Sequence, residues 1–189
     1  ADGKAVTIRL RPGVKFHDGE PFDAAAAKFS LDRHLTMQGS FRRAEIAQID
    51  NVAVVDPTTI RLNLKTPFSP LIAQLTDRAG MMVSPKAAQA LGDKFATAPV
   101  CAGPYRFVER VAQDRIVVER FPDYWDKARV SIDRIVYRPI QDSTVRLANG
   151  DRARVAPVSR PAAAPGSRPG SEVTVWAEAG RVVRFDATR

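Results

Sequence analysis

Apolar and polar positions alternate at the start of the chain, with Val6, Ile8 and Leu10 separated by Thr7 and Arg9. A period of two with one apolar face predicts a half-buried strand, and Pro12-Gly13 ends it in a turn. His17-Asp18-Gly19-Glu20-Pro21 reads as a second tight turn, and Asp23 stands where its carboxylate can cap a helix. The alanines that follow favour a helix running to about Leu35. Ala24, Ala27, Leu31 and Leu35 make one stripe on it, and Phe29 lies off that stripe, so the helix is expected to touch packed material on two sides. Val52 to Val55 and Ile60 to Leu64 flank Asp56-Pro57-Thr58 as a hairpin. Ser69-Pro70 and Ser84-Pro85 each pair a capping hydroxyl with a proline suited to the first helical position, predicting two short helices. The first carries Phe68, Leu71, Ile72 and Leu75, and the second runs from Pro85 to Leu91 and stops at Gly92. Arg78 to Val83 reads as a buried connector or short strand. Tyr105 to Val111 and Arg115 to Arg120 form a second predicted hairpin, followed by a strand from Ile132 to Arg138 and a short helix from Asp142 to Asn149.

Strands and helices interleave without regular alternation, so a mixed α+β or α/β fold is favoured over a doubly wound parallel sheet. Beyond residue 150 the pattern changes. Ala, Pro, Arg and Gly fill 15 of the 20 positions from 151 to 170, with no period of 2 or 3.6. Such a segment buries too little apolar surface to offset its ordering entropy, which predicts a loop or disorder. Val173 to Trp176 and Val182 to Phe185 suggest a terminal hairpin.

Composition narrows the function classes. The 189 residues suffice for one domain or two small ones, and 44% hydrophobic with 26% charged residues excludes wholesale disorder. No run approaches the roughly 18 apolar residues of a membrane span. The opening Ala-Asp-Gly-Lys has no signal-peptide pattern, so a cytosolic chain or a mature or trimmed product is expected. The net charge of +8 raises the question of nucleic acid. However, Arg9, Arg11, Arg61, Arg106 and Arg110 alternate with apolar residues on strands, which predicts solvated strand faces rather than a basic recognition helix. Arg42-Arg43 is the only adjacent basic pair. No nucleic-acid partner is expected, and a basic nucleic-acid-binding domain is the least favoured class.

Candidate chemistry is thin. A single cysteine, Cys101, rules out an internal disulfide, and it reads as a small buried hydrophobe. A Cys101–His17 nucleophile and base has no familiar spacing. His17 beside Asp18 is more economically a turn than a metal site, and Gly13 and Gly19 stand alone rather than in a phosphate loop. No enzyme, metal or cofactor is expected.

Longer motifs are more specific. TIRLRPGVKFHDGEPFDAAAAKFSLDR, residues 7–33, resembles the signature of the family 5 extracellular solute-binding proteins, the peptide, nickel and glutathione receptors of ABC importers. NVAVVDPTTIRLNLKTPFSPLIAQL, DRAGMMVSPKAA, VCAGPYRFVERVAQDRIVVERFPDYWDK and IDRIVYRPIQDSTVRLAN resemble further stretches of that family in the same order. Together they span nearly all of residues 6–149.

The resemblance implies part of the first lobe of a two-lobed periplasmic-binding-protein fold. It divides the chain into a smaller subdomain over 1–97, main-sheet strands over 98–148 and a diverged tail over 149–189, with the second lobe absent. The implied function is to bind a peptide-like solute, such as a short peptide or glutathione, outside the cytoplasm and pass it to a membrane permease without chemistry. The alternative is a non-binding interaction fragment that self-associates through an uncovered lobe surface. Cleft-facing positions are expected around Ala79, Gly80 and Met81 and at Cys101, Ala102 and Gly103, with packing of a subdomain seam as their alternative role.

Two departures from the family pattern stand out. Cys101-Ala102-Gly103-Pro104 replaces the usual Gly-Thr-Gly-Pro, and Ala25-Ala26 replace common acidic residues, leaving only the Asp23 cap. The abrupt change after Asn149 suggests a truncated or altered gene product, such as an out-of-frame reading of GC-rich DNA, with a natural short protein that kept one lobe as the alternative. Reading the other frames beyond codon 149 tests this.

Overall fold

The computed structural model describes residues 3–139, 155–157 and 171–177. The chain divides into two compact units, residues 1–103 with 123–125, and residues 104–122 with 126–189.

In the first unit, strands β1 (Ala5–Arg9), β2 (Ile49–Asp56) and β3 (Thr59–Leu64) form an antiparallel sheet in the order β1-β3-β2. Ile8 faces Ile60 and Val6 faces Leu62 across β1–β3, while Val52 faces Leu62 across β2–β3. The central strand thus presents Ile60, Leu62 and Leu64 to one side. Helix α1 (Ala24–Thr36) packs there, and Ala24, Ala27 and Leu31 join those three residues with Ile46, Ile49, Val52, Leu71 and Ala79 in a single buried cluster. Full burial of each large aliphatic side chain contributes about 1.5–3 kcal/mol.

Phe29 does not enter that cluster. It packs against a second one, built on Val83, Ala88 and Phe95, so α1 serves two cores as its off-stripe phenylalanine predicts. Asp23 caps α1 as expected, accepting the Ala26 N–H at 2.8 Å. The five exposed arginines of the strand reading, Arg9, Arg11, Arg61, Arg106 and Arg110, all lie on solvated faces. Arg11 also stacks its guanidinium 3.8 Å from the centre of the Trp125 ring.

The two Ser-Pro pairs behave differently. Ser84 occupies the cap of α3 (Pro85–Leu91) with an extended backbone, and its hydroxyl accepts the Ala87 N–H. Helix α2 (Leu71–Leu75) has Pro70 at the cap and no side-chain cap bond. The expected Ser69 cap is therefore not formed. The helix starts one residue later than in the Ser84 case, so the proline takes the cap position itself and the serine falls one place upstream. Between the helices, Arg78–Gly80 forms a 3₁₀ turn rather than a strand, and Val83 makes one antiparallel bridge to Cys101. Gly92 terminates α3 with φ 51°, as its position predicts.

In the second unit, β4 (Tyr105–Val111), β5 (Arg115–Arg120), β6 (Arg134–Pro139), β7 (Val155–Pro157) and β8 (Ser171–Ala177) form one sheet in the order β4-β5-β6-β8-β7. The β4–β5 hairpin matches its sequence pattern, with Gln113 adopting φ 60° at the turn. β8 contains the first arm of the expected terminal hairpin. It runs parallel to β6, pairing Ile135 with Val173 and Tyr137 with Val175, and antiparallel to β7, which lies inside the stretch expected to be irregular. Residues 182–185, their expected partner, and the expected helix from Asp142 to Asn149 lie outside the described residues. No helix among the described residues is long and apolar enough to cross a membrane.

Candidate functional site

The turn after β1 is closed by its own backbone. Phe16 N–H donates to the Glu20 carbonyl at 2.8 Å, Gly19 N–H donates to the Phe16 carbonyl at 2.9 Å, and Gly19 takes φ 88°, a conformation glycine adopts without strain. Phe16 is fully buried and meets Phe22 edge to face at 5.7 Å, which fixes the turn to the unit.

That turn holds His17 against residues 101–103. The His17 N–H donates to the Cys101 carbonyl at 2.8 Å, and the imidazole Nδ1 accepts the Cys101 N–H at 3.4 Å. Because Nδ1 is the acceptor, the proton resides on Nε2, which donates to the Gly103 carbonyl at 2.9 Å. One neutral imidazole therefore fixes both ends of the Cys-Ala-Gly segment.

Asp18 and Glu20 reach in the other direction, to the start of α3. The Ser84 hydroxyl donates to Asp18 Oδ2 at 2.5 Å, and the Lys86 ammonium meets Glu20 Oε1 at 2.6 Å. The Glu20 carboxylate raises the Lys86 pKa. Ser30, fully buried on α1, shares its proton between the Ala26 and Val83 carbonyls and accepts the Val83 N–H at 3.0 Å. Ser84 N–H donates to the Val100 carbonyl at 2.9 Å beside the Val83–Cys101 bridge. The segment 83–84 is thus bonded on one side to α1 and on the other to 100–101.

The six predicted site residues fall on the two strips joined by this bridge. Ala79 is completely buried in the main core, and its side chain is spent on packing. Gly80 is half-buried and closely approached: a Cβ placed there would run into the Leu75 carbonyl. Met81 is 58% exposed, with its carbonyl accepting the His34 Nε2–H at 3.4 Å. Cys101, Ala102 and Gly103 are half-buried, and a Cβ at Gly103 would meet open space.

The chemistry of the seam is that of support. His17 contacts the backbone of Cys101, and burial pushes the Cys101 thiol up, which keeps it protonated and poorly nucleophilic at neutral pH. No group of three or more His, Cys, Asp or Glu side chains among the described residues is placed to hold a metal ion. Sequence reasoning found the His-Asp-Gly turn but not its partners. The signal for Ser84 was its capping role, and nothing in the local pattern pointed from Asp18 to it. Ser30 gave no local signal at all.

Comparison with known proteins places these features in context. Residues 1–168 match the bacterial extracellular solute-binding proteins, family 5 Middle. The chain is 40% identical over 149 residues to the glutathione-binding protein GsiB of Pectobacterium atrosepticum, covering 78% of this chain and 29% of that protein. It is 36% identical over 148 residues to GsiB of Escherichia coli K12, with the same coverage of 78% and 29%. Among solved structures it resembles the periplasmic binding protein AgaA of A. tumefaciens R10, in complex with agropinic acid, with TM-score 0.71 and 32% identity over 78% of this chain and 30% of that one. DppA of Helicobacter pylori, in complex with the peptide STSA, gives TM-score 0.70 and 26% identity over 78% and 33% of the two chains. The chain spans less than a third of the length of the curated relatives it matches, at 29%.

Proposed function

This chain belongs to the bacterial extracellular solute-binding proteins of family 5, and from that membership we propose that it forms part of the solute-binding component of an ABC importer. In this reading it works outside the cytoplasm, contributes to holding a peptide-like solute such as glutathione or a short peptide, and serves a membrane permease. The observation that carries the reading is the 40% identity to a glutathione-binding protein over 149 residues. A receptor of this kind does no chemistry. It exchanges the hydration of the solute for fixed polar contacts and biases an open-to-closed equilibrium, so shape and a few oriented groups set selectivity.

Gly80, Met81, Cys101, Ala102 and Gly103 are the positions we place nearest to solute, since each retains exposed surface, with buried Ala79 behind them. The proposal excludes nucleic acid as a partner. Arg106, Arg115 and Arg120 are supporting cases, paired with Glu119, Glu109 and Asp133 instead of presenting free charge.

The test is ligand-dependent thermal stabilisation with glutathione, a dipeptide panel and nickel, measured on this chain and on this chain joined to the remaining portion of the Pectobacterium relative. A shift with a peptide-like ligand supports the reading. No shift in either protein overturns it. The exposed side chains of Val55 at 59% and Ile72 at 51% favour a second reading, an interaction fragment that self-associates. A clean monomer by light scattering at high concentration overturns that one.

A further inference from the structure

Helices α1 and α3, with the turn that precedes α1, enclose an open groove of about 780 Å³, within the size range of small-molecule sites. None of the six positions placed near solute lines it. Its walls are small or rigid side chains, Ala25 and Ala26 from α1, Pro85 and Ala90 from α3 and Pro21 from the turn, and Phe29 adds an aromatic ring. Phe29 also packs against the cluster of Val83, Ala88 and Phe95, which holds the ring in place. The frame is braced as well, since the Ser30 hydroxyl ties α1 to Val83 and the Lys86 ammonium meets Glu20 at 2.6 Å. A surface held in this way has little ordering entropy left to lose on binding.

The charges that line the groove are already answered. Glu20 and Lys86 neutralise each other, and the Asp23 carboxylate accepts the Ala26 N–H at 2.8 Å at the start of α1, where the helix favours negative charge. Gln89 is the polar side chain left over, lining the groove with an amide that has no partner among the described residues. A primary amide offers both a donor and an acceptor. Ala25 keeps a further charge away, because it stands where the family pattern commonly carries an acid and it lines the groove itself.

We propose that this groove is a second binding site, for a small neutral molecule with an aromatic ring and one amide, in which the ring lies against Phe29 among the alanines and prolines and the amide pairs with that of Gln89. A charged ligand of the same shape would leave water without gaining a free counter-charge. This goes beyond the reading as a solute receptor and does not depend on it.

Titration of the isotope-labelled 189-residue chain, followed by its amide chemical shifts, tests the site with three probes that share a ring and differ in charge: phenylacetamide, phenylacetate and phenethylammonium. Phenylacetamide is expected to shift the resonances of Ala25, Ala26, Phe29 and Gln89 saturably, and each charged probe to bind about tenfold more weakly or less. Gln89→Ala weakens phenylacetamide about three- to tenfold, as the loss of a hydrogen-bonded pair requires. Ala25→Glu, at an exposed helical position that leaves the circular dichroism spectrum unchanged, weakens it about tenfold or more by placing a charge in the groove. The absence of a saturable shift at these four residues overturns the proposal, as does equal affinity for the three probes. Affinity unchanged in either variant also overturns it.

Discussion

The Ser84 hydroxyl donates to Asp18 Oδ2 at 2.5 Å across 66 residues of sequence, and Ser84 Oγ also accepts the Ala87 N–H at the start of α3. A single hydroxyl therefore caps a helix and closes a long-range contact to the His-Asp-Gly turn.

Ser84→Ala removes both roles. Losing the cap costs about 1 kcal/mol, and losing the hydrogen bond to the exposed Asp18 carboxylate, which water can re-solvate, adds about 0.5–1 kcal/mol. Asp18→Ala loses only the second part. A double-mutant cycle in urea unfolding is expected to show a coupling of about 1 kcal/mol, because both substitutions delete one bond.

The two glycines of the candidate site separate by their surroundings. Gly80→Ala forces a methyl into the Leu75 carbonyl and is expected to destabilise by about 2–3 kcal/mol. Gly103→Ala meets open space, and its expected effect on stability is within about 0.5 kcal/mol. If Gly103 lies close to solute, the same substitution lowers ligand affinity while the melting temperature of the free protein holds.

Cys101 should label slowly. Burial raises its thiol pKa, so at neutral pH the reactive thiolate is scarce in the folded chain. Reaction with a disulfide reagent is expected to be slower in native buffer than in urea. Cys101→Ala keeps the His17 bonds, which use only the backbone of residue 101, and is expected to cost about 1 kcal/mol.

His34 makes stability depend on pH. Burial lowers its pKa below the ordinary 6.5, assisted by Arg33 and Arg42, and opposed by the Met81 carbonyl and by Glu45. The unfolded chain thus takes up this proton more readily than the folded one. The contribution of the neutral imidazole is fully present above pH 6.5 and is lost as pH falls below that value toward the depressed folded pKa. Urea midpoints measured on both sides of this window are expected to drop on the acid side, and His34→Gln flattens the change.

Much of the local structure could be read from the chain before any fold was seen. Alternation gave β1, β3 and the β4–β5 hairpin because a strand with one buried face must place apolar side chains every second residue. The caps at Asp23 and Ser84 were legible because a short oxygen side chain before a helix satisfies a specific orphan N–H. Even the double service of α1 showed in Phe29 lying off the Ala24–Leu31 stripe. Ser69 is the counterexample, since the same Ser-Pro pattern leaves open which residue takes the cap.

The sequence by itself thus determined most of the strands and helices between β1 and β6, though not β7 or the 3₁₀ turn at Arg78–Gly80, and its longer motifs determined the family. Tertiary structure alone decided what those segments meet. That β3 sits between β1 and β2, that β8 lies parallel to β6, that His17 spends its ring on the backbone of Cys101 and Gly103, and that Asp18 finds Ser84 all depend on contacts between residues far apart in the chain. Periodicity and capping are local, set by neighbours within a turn or a strand, whereas a long-range partner is chosen by the packing of the whole unit.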